Sequence, residues 1–227
     1  MQQLASGVGP LWGVLAVVLA VSAPVSWWAA WQGDRRLMVL VKPLPMLALI
    51  GLVLLVPGPG PVAMALLLAL VCGLVGDVAL LDPPSGDPPA AYRLPLGLGA
   101  FLLGHLAYLA AIAWAPQSGW PFPWPGVVAV PIALVLAAVW GRPVARAAGA
   151  LRAPVIVYQA VILTLLIAAA ARGPWVLVAG AAFFVASDLM LGRSLFLATK
   201  RWHGPAVMVT YHLAQVLLVV GLLVPSG

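Results

Sequence analysis

The chain has 227 residues, of which 64% are hydrophobic and only 7% are charged, and its mean hydropathy is +1.13. Soluble domains carry about 25% charged residues, because charge keeps a folded surface hydrated. This composition therefore excludes a soluble globular domain and predicts an integral membrane protein. The 11 Lys and Arg residues against five acidic residues give a net charge of +6, which in such a protein indicates membrane topology and no nucleic-acid partner.

Apolar runs of membrane-spanning length divide the chain. A helix needs about 20 apolar residues to cross the hydrocarbon core, and Pro, Gly and charged residues separate eight such runs here. No Lys or Arg precedes the first run, so we expect it to stay as a span and not to be removed as a signal peptide. The predicted spans lie near Leu11–Trp31, Met38–Val56, Val62–Leu81, Leu94–Ala115, Gly126–Trp140, Ala153–Ala171, Trp175–Leu191 and Pro205–Val224. The predicted fold class is an all-α polytopic transmembrane helical bundle, with residues 1–227 in a single transmembrane domain.

The loop charges predict the orientation of these spans. Short cytoplasmic loops are enriched in Lys and Arg, and with eight spans ten of these residues fall on one side of the membrane while only Arg172 falls on the other. A missed or added span in the middle would move every later loop to the opposite side and remove this asymmetry. Both termini are therefore predicted to lie outside the cytoplasm, in what we expect to be the plasma (inner) membrane.

Two parts of the chain share a short pattern. Gly76-Asp77-Val78, near the end of the third span, is similar to Ser187-Asp188-Leu189, near the end of the seventh. Each is followed by a span that carries His-Leu-Ala, at His105 and at His212. Because four spans separate the copies, both would have the same orientation, which favours a 4+4 parallel internal repeat about an axis along the membrane normal.

Two of the five Asp residues stand in apolar sequence. Asp34, Asp82 and Asp87 lie in loops beside Pro, Gly or Arg, where solvated turn residues are expected. Asp77 and Asp188 lie within predicted spans. An Asp at the centre of a span costs about 2.5 to 3.5 kcal/mol on insertion scales, so intramembrane carboxylates usually face a cavity and take part in function. The alternative is a helix-end residue whose side chain extends to the cytoplasmic interface.

The predicted topology brings further polar residues to the depth of these two carboxylates. His105 shares one helical face with Tyr108, and His212 shares one with Gln215. A single intramembrane His is more often a hydrogen-bonded packing residue, but two at matching positions beside two Asp favour a function. His203 is predicted to be solvated in a basic loop. The residues at this depth are Lys42, His105, Tyr158, Gln159, Tyr211, His212 and Gln215.

Several short patterns stand in a defined order between Lys42 and Gly221: Lys42-Pro43-Leu44, Gly76-Asp77-Val78, Phe101, Gly104-His105, Tyr108, Tyr158, Ser187-Asp188-Leu189, Phe196, Tyr211 and Ala214-Gln215. In this order and spacing, they resemble the YhhN-like family of eight-span integral membrane proteins, the lysoplasmalogenases. The resemblance implies hydrolysis of the vinyl ether bond of lysoplasmalogens, which releases a fatty aldehyde and glycerophosphoethanolamine or glycerophosphocholine. His212 departs from the family pattern, so its role stays open.

The residues suit this chemistry independently of the resemblance. A vinyl ether is cleaved by protonation of its outer alkene carbon, after which water adds to the oxocarbenium ion and the hemiacetal collapses to aldehyde and alcohol. A carboxyl group in surroundings of low dielectric can stay protonated near neutral pH, while an ionised partner stabilises the cation and deprotonates the water. Asp77 and Asp188 are therefore the predicted acid and base, in an order that the sequence leaves open, with His105 as a third catalytic candidate.

The remaining polar residues of the set are predicted to bind substrate. Lysine at a cytoplasmic helix end ordinarily signals topology, but Lys42 beside a carboxylate cluster can also bind a phosphate headgroup. No cofactor is expected, and the expected partners are a lysophospholipid substrate and membrane lipid. The predicted substrate-binding residues are Lys42, Tyr108, Tyr158, Tyr211 and Gln215.

Two other functions fit parts of the same pattern. In a metal-dependent membrane lipid hydrolase, His105, His212 and the two intramembrane Asp residues would bind zinc, whose ligand types they match, although the sequence has no close His-x-x-x-His motif. In a small proton-coupled transporter, intramembrane Asp and His and a parallel repeat are equally natural. Against the transporter, the polar residues gather toward one side and do not mark a path across the membrane.

The charge asymmetry makes a testable prediction about orientation. A reporter fused after Gly227 should be found outside the cytoplasm, and a reporter inserted near Ala147 should be found inside, because cytoplasmic loops retain Lys and Arg. Paired fusions to alkaline phosphatase and green fluorescent protein measure this, since each reporter is active on one side of the membrane only. Reversal of both results would contradict the orientation, and two reporters on the same side would contradict the predicted number of spans after Ala147.

Overall fold

Helices account for all regular secondary structure in the part of the chain that the structure describes. The computed structural model describes residues 2–83, 85, 89–116 and 124–223, and no strand occurs among them. The predicted all-α fold class is thereby confirmed. Asp87, predicted as a solvated turn residue, lies outside the described residues, as do Val224 at the end of the eighth predicted span and Gly227.

Ten α-helices follow one another along the described residues. They are α1 (Gln2–Gln32), α2 (Arg35–Val41), α3 (Pro43–Leu54), α4 (Pro61–Ala79), α5 (Arg93–Trp114), α6 (Trp124–Leu136), α7 (Arg142–Ala147), α8 (Arg152–Arg172), α9 (Trp175–Phe196) and α10 (His203–Leu223). A π-helical turn, Ala137–Gly141, joins α6 to α7, and a 3-10 turn, Gly149–Leu151, precedes α8.

Eight stretches built from these helices are long and apolar enough to cross a membrane, which confirms the predicted number within the described residues. They are Gly9–Gln32, Arg35–Leu54, Pro61–Ala79, Arg93–Trp114, Pro125–Ala147, Gly149–Arg172, Trp175–Phe196 and His203–Leu223. The largest differences from the predicted bounds lie at the ends of the fifth and seventh spans and at the start of the sixth.

The second span consists of α2 and α3, which meet at Lys42. Asp34 caps α2, because its Oδ1 accepts a hydrogen bond of 3.0 Å from the backbone N–H of Leu37. Lys42 keeps helical dihedral angles, φ −60° and ψ −38°, but Pro43 supplies no backbone N–H, so the hydrogen-bond ladder is interrupted here. Lys42 therefore lies within the span and not at its start, and only 7% of its surface is exposed.

The fifth span is longer than predicted because the helix continues past Trp140. The sequence predicts a loop from Gly141, but the π-helical turn leads directly into α7. Proline is tolerated in the first turn of a helix, so Pro143 does not end the span. Arg142 and Arg146 consequently project, both exposed, from a helix and not from a loop.

Glycine allows the closest helix contacts in the bundle. The most extensive contacts are those of α4 with α5 and of α9 with α10. A Cβ atom at Gly76 would stand 2.7 Å from Cε2 of Phe101, and one at Gly180 would stand 3.0 Å from the backbone nitrogen of Leu218. Small residues let backbones approach closely, which is a main source of helix association in lipid. The pair α4 and α5 and the pair α9 and α10 would occupy equivalent places in the predicted 4+4 repeat. The repeat itself stays a prediction.

Basic residues gather at one end of the bundle, the basic end, which we define by Arg35, Lys42, Arg93, Arg193 and Arg201. A surface cavity there joins the start of α2 to the start of α10. Nε and Nη2 of Arg93 donate hydrogen bonds of 3.0 and 2.9 Å to the last carbonyl oxygens of α4. The guanidinium carbons of Arg193 and Arg201 lie 5.1 and 5.0 Å from the ring centroids of Trp140 and Trp31. That this end faces the cytoplasm stays a prediction.

His203 is buried, so the prediction that it is solvated in a basic loop is wrong. It begins α10, and only 4% of its surface is exposed. Its Nδ1 accepts a hydrogen bond of 3.2 Å from the backbone N–H of Lys200, and its ring packs against Trp202 at a centroid distance of 4.4 Å. The first turn of α10 directs this side chain inward, which the basic composition of the preceding segment does not indicate.

Close packing at Gly180 makes a testable prediction about stability. Gly180→Ala should destabilise the bundle by about 1 to 3 kcal/mol, because the new Cβ atom would meet the backbone nitrogen of Leu218 at 3.0 Å. Gly99→Ala on α5 is the matched control, since nothing lies within 4 Å of a Cβ atom there, and it should be neutral or stabilising because Ala favours helix. Thermal unfolding of both variants in detergent measures the difference. Equal unfolding midpoints would contradict this account of the interface between α9 and α10.

Candidate active site

A cavity of about 230 Å³ lies at the basic end of the bundle, and both intramembrane carboxyl groups line it. Asp77 comes from the end of α4 and Asp188 from α9. The fold thus brings two Asp residues from different halves of the chain to one space. The polar residues of its lining include Lys42, Asp77, Arg93, Ser187, Asp188 and Tyr211.

Asp77 forms an ion pair with Lys42 inside the bundle. Lys42 Nζ lies 3.5 Å from Asp77 Oδ1 and donates a hydrogen bond of 3.1 Å to the backbone carbonyl oxygen of Asp77. Only 2% of the surface of Asp77 is exposed. A buried charge is costly unless a partner of opposite sign compensates it. The junction of α2 and α3 at Lys42 and Pro43 places an ammonium group where this carboxylate needs one.

Gly73 makes room for the side chains beside Asp77. A Cβ atom at Gly73, about one turn before Asp77, would stand 3.0 Å from the hydroxyl oxygen of Tyr211 and 3.1 Å from Cε of Met46. The Tyr211 hydroxyl group donates to the sulfur atom of Met46 at 3.5 Å, and its ring meets Phe184 edge to face. A larger residue at Gly73 would push this phenol away from α4 and from the cavity that it lines.

Asp188 is held by a tyrosine and a histidine. The hydroxyl group of Tyr158, on α8, donates a hydrogen bond to Asp188 Oδ2, and His105 Nε2, on α5, lies 3.6 Å from the same oxygen. The side chain of Asp188 is 8% exposed and that of His105 is 1% exposed. The imidazole ring packs edge to face against Tyr158 at 5.4 Å and Phe184 at 4.6 Å. Side chains of α5 and α8 therefore fix the orientation of an acid that α9 provides.

Tyr108 and Gln215 form a hydrogen bond with each other, and neither of them lines this cavity. The hydroxyl group of Tyr108 donates to Oε1 of Gln215, and their surfaces are 1% and 0% exposed. Nε2 of Gln215 has no hydrogen-bond partner among the described residues. The pair joins α5 to α10 inside the bundle, and its role in substrate binding stays a prediction.

His212 faces α1, while His105 faces a carboxyl group. Nδ1 of His212 accepts a hydrogen bond of 2.9 Å from Trp27 Nε1, and the two rings stack at a centroid distance of 6.3 Å. Because Nδ1 is an acceptor, the hydrogen atom of a neutral ring lies on Nε2. The two histidines of the predicted repeat therefore have different surroundings.

The zinc alternative requires the side chains of His105, His212 and the two Asp residues to lie around one metal ion. In the structure, the two histidines contact different side chains. His105 contacts Asp188, whereas His212 contacts Trp27. No group of three or more His, Cys, Asp or Glu side chains that could hold a metal ion occurs within residues 2–83, 85, 89–116 and 124–223.

Three polar residues of the cavity lining, Asp82, Arg93 and Ser187, are absent from the predicted site. Arg93, which the sequence suggests only as a topological charge, lines the cavity while it binds the end of α4. Ser187 donates a hydrogen bond of 3.2 Å from Oγ to the backbone carbonyl oxygen of Val207, which ties α9 to α10. The Ser-Asp-Leu pattern is a signal that could have identified Ser187. No sequence signal distinguishes Arg93 from the other basic residues near helix ends.

Sequence comparisons relate the chain to a family of membrane proteins. A sequence model of the YhhN family matches residues 37–222. The chain is 33% identical over 132 residues to the uncharacterized membrane protein YhhN of Escherichia coli O157:H7, and equally so to that of Shigella flexneri. These 132 residues cover 58% of this chain and 59% of each relative. The chain is 28% identical over 197 residues to lysoplasmalogenase TMEM86B of Homo sapiens, which is 86% of this chain and 75% of the human protein. The matched part thus spans about 59% of the length of the bacterial relatives. No solved structure matches the chain significantly.

The buried pair of Tyr108 and Gln215 makes a testable prediction. Tyr108→Phe should destabilise the protein by about 1 to 3 kcal/mol, because it leaves the buried Oε1 of Gln215 without its donor. The double variant Tyr108→Phe with Gln215→Leu should recover most of this loss, since replacement of both partners by apolar groups is nearly neutral. Thermal unfolding of the two single variants and the double variant measures the coupling. A double variant as unstable as the sum of the two single variants would contradict a shared structural bond.

Proposed function

Because the chain belongs to the YhhN family, we propose that it is an intramembrane hydrolase that cleaves the vinyl ether bond of lysoplasmalogens. The relative in Homo sapiens is named a lysoplasmalogenase. The observation that carries the proposal is that Asp77 and Asp188, whose side chains are 2% and 8% exposed and which have different partners, line one cavity. The products would be a fatty aldehyde and glycerophosphoethanolamine or glycerophosphocholine.

The reaction needs one proton donor, one anion and one water molecule. The donor protonates the outer alkene carbon, and the double bond shifts to give an oxocarbenium ion. Water adds to that cation and loses a proton to the base, which gives a hemiacetal. The hemiacetal then collapses: its hydroxyl proton passes to the ionised acid, the protonated base gives its proton to the glycerol oxygen, and the carbon–oxygen bond breaks to give the aldehyde and the free glycerol hydroxyl group. One water molecule is consumed in total, and both carboxyl groups return to their starting protonation states.

Asp77 is suited to the role of the anion and base. The ammonium group of Lys42 stands 3.5 Å from its Oδ1 and compensates the negative charge inside the bundle. A fixed carboxylate beside the cavity stabilises a developing oxocarbenium ion, since charges interact strongly in a site from which water is largely excluded. The same carboxylate can accept the proton of the attacking water.

Asp188 is suited to the role of the acid. Its partners Tyr158 and His105 both approach Oδ2, which leaves Oδ1 to carry the proton that is delivered to the substrate. His105 does not line the cavity, so it acts through Asp188 and is a positioning residue in this scheme. The hydrogen bond from Tyr158 fixes the rotation of the carboxyl group, because general acid catalysis requires the donor to be held within reach of the reacting carbon.

Two cations of the lining can bind the phosphate of the headgroup. Lys42 is in contact with Asp77, and Arg93 uses Nε and Nη2 to hold the last carbonyl oxygens of α4. A guanidinium group has five N–H donors, so those of Arg93 that do not bind α4 can donate to phosphate oxygens. Both cations line the same cavity as the two acids, which would hold the glycerol end of the lipid beside them.

The proposal predicts that neither Asp can be replaced by Asn. Asp77→Asn and Asp188→Asn should each lower lysoplasmalogen turnover by at least about 10²- to 10⁴-fold, because Asn keeps the size of the side chain but cannot deliver or accept a proton. The measurement is release of fatty aldehyde from lysoplasmalogen by membranes that carry equal amounts of each variant. Asp34→Asn is the matched control, since Asp34 caps α2 far along the chain from both acids and Asn caps helices equally well.

Parallel incubations separate this proposal from its alternatives. Aldehyde from lysoplasmalogen with no fatty acid from an ester lysophospholipid would support a vinyl ether hydrolase. Loss of activity with a strong chelator would favour the metal-dependent hydrolase, and absence of any product from lipid would favour the transporter. Near-normal turnover in either Asn variant would remove that Asp from the mechanism, while the family membership would stand.

A further inference from the structure

A second, narrow space begins at Asp188 and differs in character from the polar cavity. It holds about 40 Å³ and lies between α5, α6, the π-helical turn, α7, α8 and α9. Its lining is mainly Leu, Val, Ile and Ala, and it contains no Lys or Arg. We call it the apolar pocket. Its polar lining residues are Tyr158, Gln159 and Asp188.

The two spaces share one wall. Asp188, Leu191 and Leu195 of α9 line both the polar cavity and the apolar pocket. Every Lys and Arg side chain that touches either space, namely Lys42 and Arg93, lies on the cavity. Asp188 is therefore the carboxyl group that stands at the boundary between a charged compartment and a hydrocarbon-like one, whereas Asp77 lines the cavity and not the pocket.

We propose that the apolar pocket binds the first methylene groups of the single hydrocarbon chain of the lipid, so that the bond between headgroup and chain lies against Asp188. This inference rests on the proposed function and extends it to a chain subsite. An apolar lining favours methylene groups over a hydrated headgroup by about 0.8 kcal/mol for each buried CH₂. The volume suits only the start of a chain, and the remainder extends among the exposed apolar side chains of the bundle surface.

The chemistry of the substrate explains why the boundary is the reactive position. In a lysoplasmalogen, the vinyl ether joins the glycerol to the hydrocarbon chain. A phosphate held by Lys42 and Arg93 on one side, and methylene groups held in the apolar pocket on the other, would place this bond between the two compartments. The acid that lines both compartments is then the one that reaches the outer alkene carbon, which is the second carbon from the ether oxygen on the chain side.

Two glycines shape the wall of the apolar pocket. The π-helical turn ends at Gly141, whose carbonyl oxygen accepts a hydrogen bond of 3.3 Å from Gln159 Nε2, and a Cβ atom at Gly141 would stand 2.9 Å from Gln159 Oε1. Gly192 lines the pocket from α9, and a Cβ atom there would stand 3.3 Å from Cγ1 of Val144. A longer side chain at Gly192 would therefore occupy part of the pocket. Gly192 does not line the polar cavity, so the cavity would be unchanged.

Photolabelling tests this subsite without any need for turnover. The probe is a lysophospholipid with a saturated ether bond, which cannot be hydrolysed by this mechanism, and a diazirine on the chain within a few carbons of the ether. Mass spectrometry of the labelled full-length protein should place the label on residues of α8, α9 and the π-helical turn that line the apolar pocket. Gly192→Leu should reduce this labelling by about tenfold or more, because the added side chain would occupy the space that the methylene groups of the probe need. Gly99→Leu, at a position with nothing within 4 Å of a Cβ atom, should label normally.

The outcomes separate this inference from the function on which it rests. Label on the apolar pocket in a protein that releases no aldehyde from lysoplasmalogen would support a chain subsite and remove the proposed reaction. Aldehyde release by a protein that is labelled only on other surfaces, such as those of α1 or α4, would remove the chain subsite and leave the reaction. Should Gly192→Leu not fold, Ile162→Trp provides a second way to fill the pocket, and the label sites of the unaltered protein test the inference by themselves.

Discussion

The burial of two carboxyl groups inside a helical bundle is the constraint on which the rest of this structure depends. A charge without a partner is expensive in hydrocarbon and within packed protein alike. Asp77, at 2% exposure, is compensated by Lys42, which stands at the junction of α2 and α3 just before Pro43. Gly73 removes the side chain that would displace Tyr211 and Met46 from the neighbourhood of Asp77. One helix junction and one glycine thus accommodate the surroundings of this acid.

The two acids meet this constraint differently, and the difference supports the proposed roles of base and acid. A lysine stands beside Asp77, so its negative charge is compensated within the pair. Asp188 has the hydroxyl group of Tyr158 and the imidazole group of His105, both on one oxygen. An ion pair fixes an anion, whereas the hydrogen bond from Tyr158 to one carboxyl oxygen is compatible with a proton on the other. Two acids of one residue type can therefore serve as base and acid because their neighbours differ.

The sequence predicted the elements of the fold better than the partners within the site. Apolar runs and breaks gave the eight spans, because burial in lipid requires uniform helices of known length. Helical spacing predicted that His105 and His212 share faces with other polar residues, but it could not tell that one meets Asp188 and the other Trp27. Contacts between helices depend on rotation and depth, which no local pattern encodes. The buried position of His203 at the start of α10 also depends on such tertiary packing.

The first span supplies the partner of a histidine whose role the sequence leaves open. Residues 37–222 match the family, so α1 lies outside the matched region, and His212 is the position at which the sequence analysis expects a departure from the family pattern. The structure joins these two features, because Trp27 of α1 donates its indole N–H to Nδ1 of His212. An indole N–H and an imidazole nitrogen each need a partner when buried away from water. Each satisfies the other, so His212 docks the first span against α10, while His105 lies beside Asp188.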